Sequence, residues 1–509
     1  MIPHYHSAKV SGKRGNWGMA IGQIGNKRAV TGALGALVFS LLAGCGGGGS
    51  TTPSPTPAPP PVNRAPAFTS AATANTLENT EASFYQAVAT DADGDALSYS
   101  IGGGSDASRF RITSGGQLFF LVAPNFDLPS DADGDNVYRV DIVASDGRIT
   151  TTITLGVTVT NSKEGVAVRR VASGFNSPAA IDAVSDTLLL IAERSGAVYQ
   201  LNPQTGGRSL LVQVENVGGV GVTAIAAAPD FATTGTFFVM HTTETGFLVL
   251  QRYLRSRAGP THPDNLSLIL GINAPQYAGG GSLGYTANGT LFAATGDAGG
   301  SGDPAGSAQD ANSRLGKIFR ITANPDPYAG ATVQFFLVNP VGSGLHQPNG
   351  FARFQDGFLI TDQGESIADE INFLSNGTTI TNFGWPFREA TRTVRGGAVN
   401  GLTDPVVEYP IGAAARPGRG IIGGAIGPST IASLRQQYIF ADRDGAILAV
   451  PVASIRAGTT LGTTVQERRT ADFVPDQGTI DRPVAIAASA TEKMYIVDAD
   501  GEIFSVEGS

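Results

Sequence analysis

From about residue 67 to the C-terminus the chain reads as short apolar runs broken by clusters of Gly, Asp, Asn and Ser. Some runs alternate strictly, as in Val137-Tyr138-Arg139-Val140-Asp141-Ile142-Val143. Others are continuously apolar, as over residues 188–193. Alternation marks a half-buried strand, and a short apolar run between turn residues marks a fully buried one. No run sustains the period of an amphipathic helix, so the pattern predicts an all-β protein.

The strands fall into two regions. Over 67–160 they are expected at 83–88, 97–101, 137–143 and 150–159. From 166 onwards one unit recurs six times: a small or apolar opening, a turn, a β-run, a second turn and a closing strand. The central runs are 188–193, 236–241, 290–297, 357–362, 437–442 and 493–498. Six such units predict a six-bladed β-propeller, with the small opening residues crowded around a central channel. The even spacing disfavours the rival architecture, two stacked sandwiches.

Composition narrows the function. A length of 509 residues implies more than one domain, and a single cysteine excludes intrachain disulfides and multi-thiolate zinc sites. The first 44 residues carry five basic groups and no acidic one, leaving 29 basic against 43 acidic residues beyond them. That balance argues against a nucleic-acid partner. No apolar run after residue 44 approaches the ~20 residues of a membrane span.

The N-terminal 44 residues have the order of a secretory signal: Lys27-Arg28, an apolar stretch over 33–42, then Leu42-Ala43-Gly44-Cys45. This end resembles a bacterial lipobox. The resemblance implies cleavage before Cys45 and diacylation of its thiol, making the membrane a partner through a lipid anchor. Gly46 in place of Asp resembles lipoproteins sorted to the outer membrane, which implies a cell-envelope protein facing periplasm or surface. Met19 is an alternative start. Residues 45–66, Gly-rich then Pro-rich, form a spacer.

In the first β region, aspartates cluster in Asp91-Ala92-Asp93-Gly94-Asp95 and Asp131-Ala132-Asp133-Gly134-Asp135. Neither has the glycine and glutamate positions of an EF-hand, but such carboxylates suit calcium unless they are simply solvated. Leu77-Glu78-Asn79, Asn125-Phe126-Asp127 and Ala144-Ser145-Asp146-Gly147 join these turns in resembling a bacterial cadherin-like repeat, a β-sandwich over 67–162. The resemblance implies calcium ligands at Glu78, Asp127 and Asp146 at one end and Asp91 and Asp93 at the other. It also implies a protein partner through this domain. A calcium-free sandwich is the alternative.

Over 166–509, Ala293-Ala294-Thr295-Gly296-Asp297, Leu315-Gly316-Lys317-Ile318-Phe319-Arg320-Ile321, Asp362-Gln363-Gly364-Glu365, Asp369-Glu370-Ile371-Asn372 and Asn382-Phe383-Gly384-Trp385-Pro386 occur in order. Together they resemble the soluble glucose/sorbosone dehydrogenases, which use pyrroloquinoline quinone (PQQ) and calcium. Sugar oxidation by that route needs a base for the hydroxyl proton, cationic groups for the cofactor carboxylates, and calcium beside the quinone. The family's basic histidine falls on Ala278 or, with a one-residue gap, on Tyr277. Neither is a base at neutral pH.

The segment that supplies a cofactor amide reads Gly218-Gly219-Val220-Gly221-Val222, and the arginine-asparagine pair has become His346-Gln347. The resemblance leaves Gln363 with His346, Gln347, Arg416 and Arg419 as cofactor contacts. Gly364 and Glu365 remain as the calcium turn, and His346 as a replacement base. Asp297, Asp303 and Asp310 read as loop-ordering residues, Trp385 as blade-closing, and His241 and His262 as structural. Three functions stay open: an aldose dehydrogenase with a rearranged site, a redox-inactive propeller that binds carbohydrate or protein, and an adhesin built on the cadherin-like domain.

Overall fold

The protein is described by a computed structural model covering residues 62–509, apart from 256–261, 278, 325–334, 378, 398 and 412–419. The signal, Cys45, Ala278, Arg416 and Arg419 lie outside the described residues.

In the first domain the strand Val137–Ser145 buries every second side chain, as its alternation requires. It pairs with Thr150–Thr160 on one side and Ser98–Gly103 on the other. Thr73–Leu77 completes this sheet and runs parallel to Thr150–Thr160. A second sheet of Tyr85–Gln86, Gln117–Phe120 and Phe110–Ile112 contributes to the same core. That core holds Leu118, Phe120, Tyr138, Val140, Ile142, Leu155 and Val157. The strand expected at 83–88 is broken: Tyr85–Gln86 pairs with Gln117–Phe120, while Ala89–Thr90 leaves to pair with Ala67–Phe68.

The second region is six sheets arranged in a ring. Blade 1 comprises Pro178–Ser185, Leu188–Glu193, Ala197–Leu201 and Arg208–Gln213. Blade 2 comprises Val217–Ala227, Thr236–Thr243, Phe247–Leu254 and His262–Asn273. Blade 3 comprises Ser282–Tyr285, Leu291–Ala294, Lys317–Asn324 and Phe335–Ser343, with Thr381–Asn382 added at its edge. Blade 4 comprises Gln347–Phe354, Gly357–Gln363, Ala368–Leu374 and Val407–Pro410. Blade 5 comprises Ile421–Ile426, Gln437–Asp442, Ile447–Pro451 and Glu467–Arg468. Blade 6 takes Pro483–Ala488, Met494–Asp498 and Ile503–Gly508 from the C-terminus, and its outer strand Val166–Ala172 from the start of the region. That pairing closes the ring.

The first strand of each blade packs against the first strands of its neighbours, from blade 1 round to blade 6 and back. Crowding explains their small residues: a Cβ on Gly350 would meet the Cα of Gly423 at 2.2 Å. Several second strands end in a carboxylate that accepts main-chain N–H groups from the segment entering the first strand. Glu193 takes Asn176 N at 2.7 Å, and Asp498 takes Arg482 N at 2.8 Å. Asp362 takes both His346 N and Gln347 N. The residues after these carboxylates therefore gather at one end of the ring. Residues 63–509 belong to one compact unit.

Candidate active site

His346 sits at that end, where the chain enters blade 4. Asp362 holds it from below, with Oδ2 accepting His346 N at 2.9 Å and Oδ1 accepting Gln347 N at 2.7 Å. Burial pushes the Asp362 carboxyl well above the usual range, with the neighbouring Glu370 adding to the shift. The His346 carbonyl in turn accepts Asp297 N at 3.0 Å, which ties blade 4 to blade 3.

The imidazole lies 2.7 Å, through Nδ1, from the carbonyl oxygen of Gln363. A carbonyl only accepts, so Nδ1 carries the hydrogen and in the neutral ring Nε2 holds the lone pair. The ring packs against Trp385, centroid to centroid 4.5 Å with the planes tilted by 46°. Trp385 Nε1 donates to Asp297 Oδ2 at 2.7 Å, and Gly299 N donates to Asp297 Oδ1 at 2.8 Å. Burial raises the Asp297 carboxyl, opposed first by the nearby His346 charge. The arrangement is an imidazole locked in one tautomer, packed on an indole and backed by a carboxylate.

Two glycine-rich segments make room for it. Gly281 N donates to Pro348 O at 2.6 Å, and a Cβ on Gly280 would meet the Gln347 backbone at 3.0 Å. Gln363 lies across Gly420, where an added Cβ would fall 2.5 Å from its side-chain carbonyl carbon. The turn after Gln363 is held by carboxylates: Asp369 Oδ1 accepts Gly364 N at 3.0 Å. Glu389 Oε1 accepts Ser366, Ile367 and Ala368 N at 2.7, 2.5 and 3.1 Å. With these N–H groups consumed, the turn's remaining ligating capacity is its carbonyl oxygens, hard donors of the kind calcium takes. The Glu365 carboxylate bridges to blade 3 by accepting Gly302 N at 2.9 Å.

Cationic groups reach the same end from blades 5 and 1. Arg443 N donates to Gly420 O at 3.2 Å, and Arg194 Nη1 donates to Val220 O at 3.0 Å. Burial, then the charge of Arg194, lowers the Arg443 pKa. The buried Nε of Arg443 has no hydrogen-bond partner. Two guanidiniums near one another, one with an orphaned donor, make a site that favours an anion.

Residues 175–418 match the Glucose / Sorbosone dehydrogenase family. That match takes in most of the propeller. Its fold is shared with the PQQ-bound aldose sugar dehydrogenase of Streptomyces coelicolor, at 21% identity and a TM-score of 0.52. That match covers 68% of this chain and 99% of that one. The apo-form of the soluble aldose sugar dehydrogenase of Escherichia coli matches at 18% identity and a TM-score of 0.51, covering 68% of this chain and 100% of that one. No curated protein sequence matches the chain.

In the propeller the predicted residues His346, Gln347, Gln363, Gly364 and Glu365 come together. His346 is only 7% exposed, so it is not a solvent-facing residue. Tyr277 is buried, its hydroxyl accepts Gly296 N at 2.9 Å, and burial raises its pKa further. It braces the site and is no base. Trp385, read as blade-closing, also packs on the imidazole, and Asp297, which orders its loop through Gly299 N as expected, also holds the Trp385 indole. Asp303 does order its loop, accepting Ser307 N and Ala308 N at 2.8 and 2.9 Å. His241 bonds Gln251 and Thr242 within blade 2.

Sequence reasoning missed Arg194 and Arg443. Their signal is positional: Glu193-Arg194-Ser195-Gly196 and Asp442-Arg443-Asp444-Gly445 are the same strand-ending turn as Asp362-Gln363-Gly364.

In the N-terminal domain the expected ligand groups divide differently. Asp146 Oδ2 accepts Asn63 Nδ2 at 2.7 Å, while the adjacent Arg64 pairs with Asp93 at 2.8 Å. Asp146 thus lies with Asp91 and Asp93, not with Glu78 and Asp127, because residues 63–64 tie the two turns together. Glu78 accepts Phe126 N and Ser162 N, both at 2.9 Å, and so braces backbone.

Proposed function

We propose that the protein is a PQQ- and calcium-dependent aldose dehydrogenase of the cell envelope, anchored through Cys45, in which His346 is the catalytic base. The observation that carries the reading is the Nδ1–Gln363 contact, which leaves Nε2 as the proton acceptor in the neutral ring. The residues present fit the cofactor: Arg443, with its orphaned Nε, and Arg194 offer cationic groups to a polycarboxylate, and Gln363 adds an amide. The Gly364–Glu365 turn offers carbonyl oxygens to calcium. That the Streptomyces coelicolor relative is described as PQQ-bound supports the choice of cofactor.

A bound quinone would supply the acceptor for the hydride that leaves the anomeric carbon of an aldose. The chain's part is proton transfer and positioning. His346 Nε2 takes the C1 hydroxyl proton, Gln363 O keeps the ring in register, and Asp297 steadies the imidazolium that results. Trp385 and Asp362 hold the ring and its backbone so that no reorganisation accompanies the transfer.

Tyr277, which braces where the family has its base, favours the second reading, a propeller that binds carbohydrate or protein without redox chemistry. Adding PQQ and calcium to the purified chain and following dye reduction with a panel of aldoses separates the two. Turnover lost in His346→Ala supports the dehydrogenase. Absence of both cofactor uptake and turnover supports the binding protein. The anchor and outer-membrane location are tested by lipid labelling and membrane fractionation, with label lost in Cys45→Ala.

A further inference from the structure

The loop over 295–316 joins the second and third strands of blade 3 at the same end of the ring as His346. It closes on Lys317, which is 3% exposed. Lys317 Nζ donates to the main-chain carbonyls of Ser307, Ala308 and Leu315 at 2.7, 2.9 and 2.9 Å. An ammonium has three hydrogens, so this one is saturated by backbone and keeps nothing for a ligand. Three hard carbonyl oxygens around one positive charge is the arrangement a loop otherwise makes with a bound cation. Burial draws the Lys317 pKa down to about 8, opposed by the charges of Asp303 and Asp310, so the ammonium form prevails at neutral pH.

Asp303 grips two of the same residues from their other side. It is buried and accepts Ser307 N and Ala308 N at 2.8 and 2.9 Å. The Ser307–Ala308 segment is thus fixed at its N–H groups by a buried anion and at its carbonyls by a buried cation.

This clamp carries the ring pair of the candidate site. Ala308 O, which already takes Lys317, also accepts Gly344 N at 3.1 Å, two residues before His346. Gln309 follows directly. Its Nε2 donates to Trp385 O at 2.6 Å and to Asn382 Oδ1 at 3.0 Å, and its Oε1 accepts Asn382 Nδ2 at 2.8 Å. Trp385 N donates back to Gly344 O at 3.1 Å. The fit is close: a Cβ on Gly344 would meet Asn382 Oδ1 at 2.5 Å and Gln309 Nε2 at 2.8 Å. The backbones that bear His346 and Trp385 therefore hang on Ser307–Ala308–Gln309.

We propose that Lys317 is a positioning residue, its ammonium acting as a built-in cation that sets the packing of Trp385 on His346 through Ser307, Ala308 and Gln309. Its value to catalysis rests on the reading of His346 as the base. The packing itself does not, and is measured without cofactor.

The test uses tryptophan emission. Trp17 and Trp385 are the two tryptophans of the chain, so the full chain carrying Trp17→Phe reports Trp385 alone. Emission maximum and acrylamide quenching are compared, without PQQ, in this parent and in its Lys317→Met, Gln309→Ala and Phe504→Leu variants, at a temperature where circular dichroism shows each one folded. Phe504 is fully buried in the core between blades 5 and 6 and serves as the control for general loosening. Lys317→Met and Gln309→Ala should each red-shift the emission and raise quenching several-fold, the latter with little change in melting temperature. Phe504→Leu should melt lower and keep the parent's emission. Parent-like emission and quenching in Lys317→Met overturn the inference; should that variant not fold, the same result in Gln309→Ala overturns it. So does an equal change in Phe504→Leu, which marks general loosening. The emission result is independent of whether the chain oxidises any aldose, so the two readings fail separately.

Discussion

Nδ1 of His346 and the main-chain carbonyl of Gln363 are 2.7 Å apart, and that contact decides which face of the imidazole can do chemistry. Asp362 sets it up by holding both neighbouring N–H groups, His346 N and Gln347 N. Asp362→Ala leaves two buried donors unpaired, with an expected cost of about 2–4 kcal/mol. Turnover should fall at least about tenfold through loss of alignment. Chemical denaturation and steady-state kinetics of the variant check both effects.

Trp385→Phe keeps an aromatic face against His346 but removes the Nε1–H that Asp297 accepts at 2.7 Å. A loss of about 1–3 kcal/mol is expected. Asp297 is already raised by burial, and losing this donor raises it further. The ionised form suffers most, so the deficit should widen as pH rises, which thermal melts across pH 5 to 8 would show.

Glu370 provides a pH test of the buried network. Burial pushes its carboxyl up to about 7 from an ordinary 4.5, although it accepts Ala390 N and Asn372 Nδ2. Between these values the folded state holds a proton that the unfolded state releases. Its contribution is therefore full below pH 4.5 and is lost as pH rises towards 7. Glu370→Gln removes the titration. The buried Oδ1 of Asn372, now without a donor, can accept the new amide after a flip. The variant should match wild type near pH 4.5 and exceed it above pH 7, by at most about 3 kcal/mol.

Arg443→Gln addresses the cofactor. Losing a guanidinium whose Nε is orphaned should weaken PQQ binding about 10–100-fold, the worth of a charged hydrogen bond. Equilibrium dialysis with and without calcium measures it, and unchanged affinity would remove Arg443 from the site.

Much of this architecture is legible in the chain because each blade repeats the same local grammar. An apolar second strand ends in an acid and a glycine turn, as at Glu193, Asp362, Asp442 and Asp498. What joins distant segments is not. The outer strand Val166–Ala172 pairs with Ile503–Gly508 at the far end of the chain, and no local pattern announces that partner. Trp385 reaches Asp297 across 88 residues, so each reads as ordinary blade structure when taken alone. Asp146 lies apart from Glu78 and Asp127 for the same reason: Asn63 and Arg64, in a stretch that reads as spacer, tie it to Asp93.

The central claim rests on His346, and one comparison tests it most directly. The full chain and His346→Ala are each loaded with PQQ and calcium, cofactor uptake is measured spectroscopically, and dye reduction is followed with a panel of aldoses. The expected result is turnover by the unmodified chain and a loss of about 10²–10⁴-fold in His346→Ala with cofactor uptake retained. Turnover that survives the substitution, or an unmodified chain that neither takes up the cofactor nor oxidises any aldose, would contradict it.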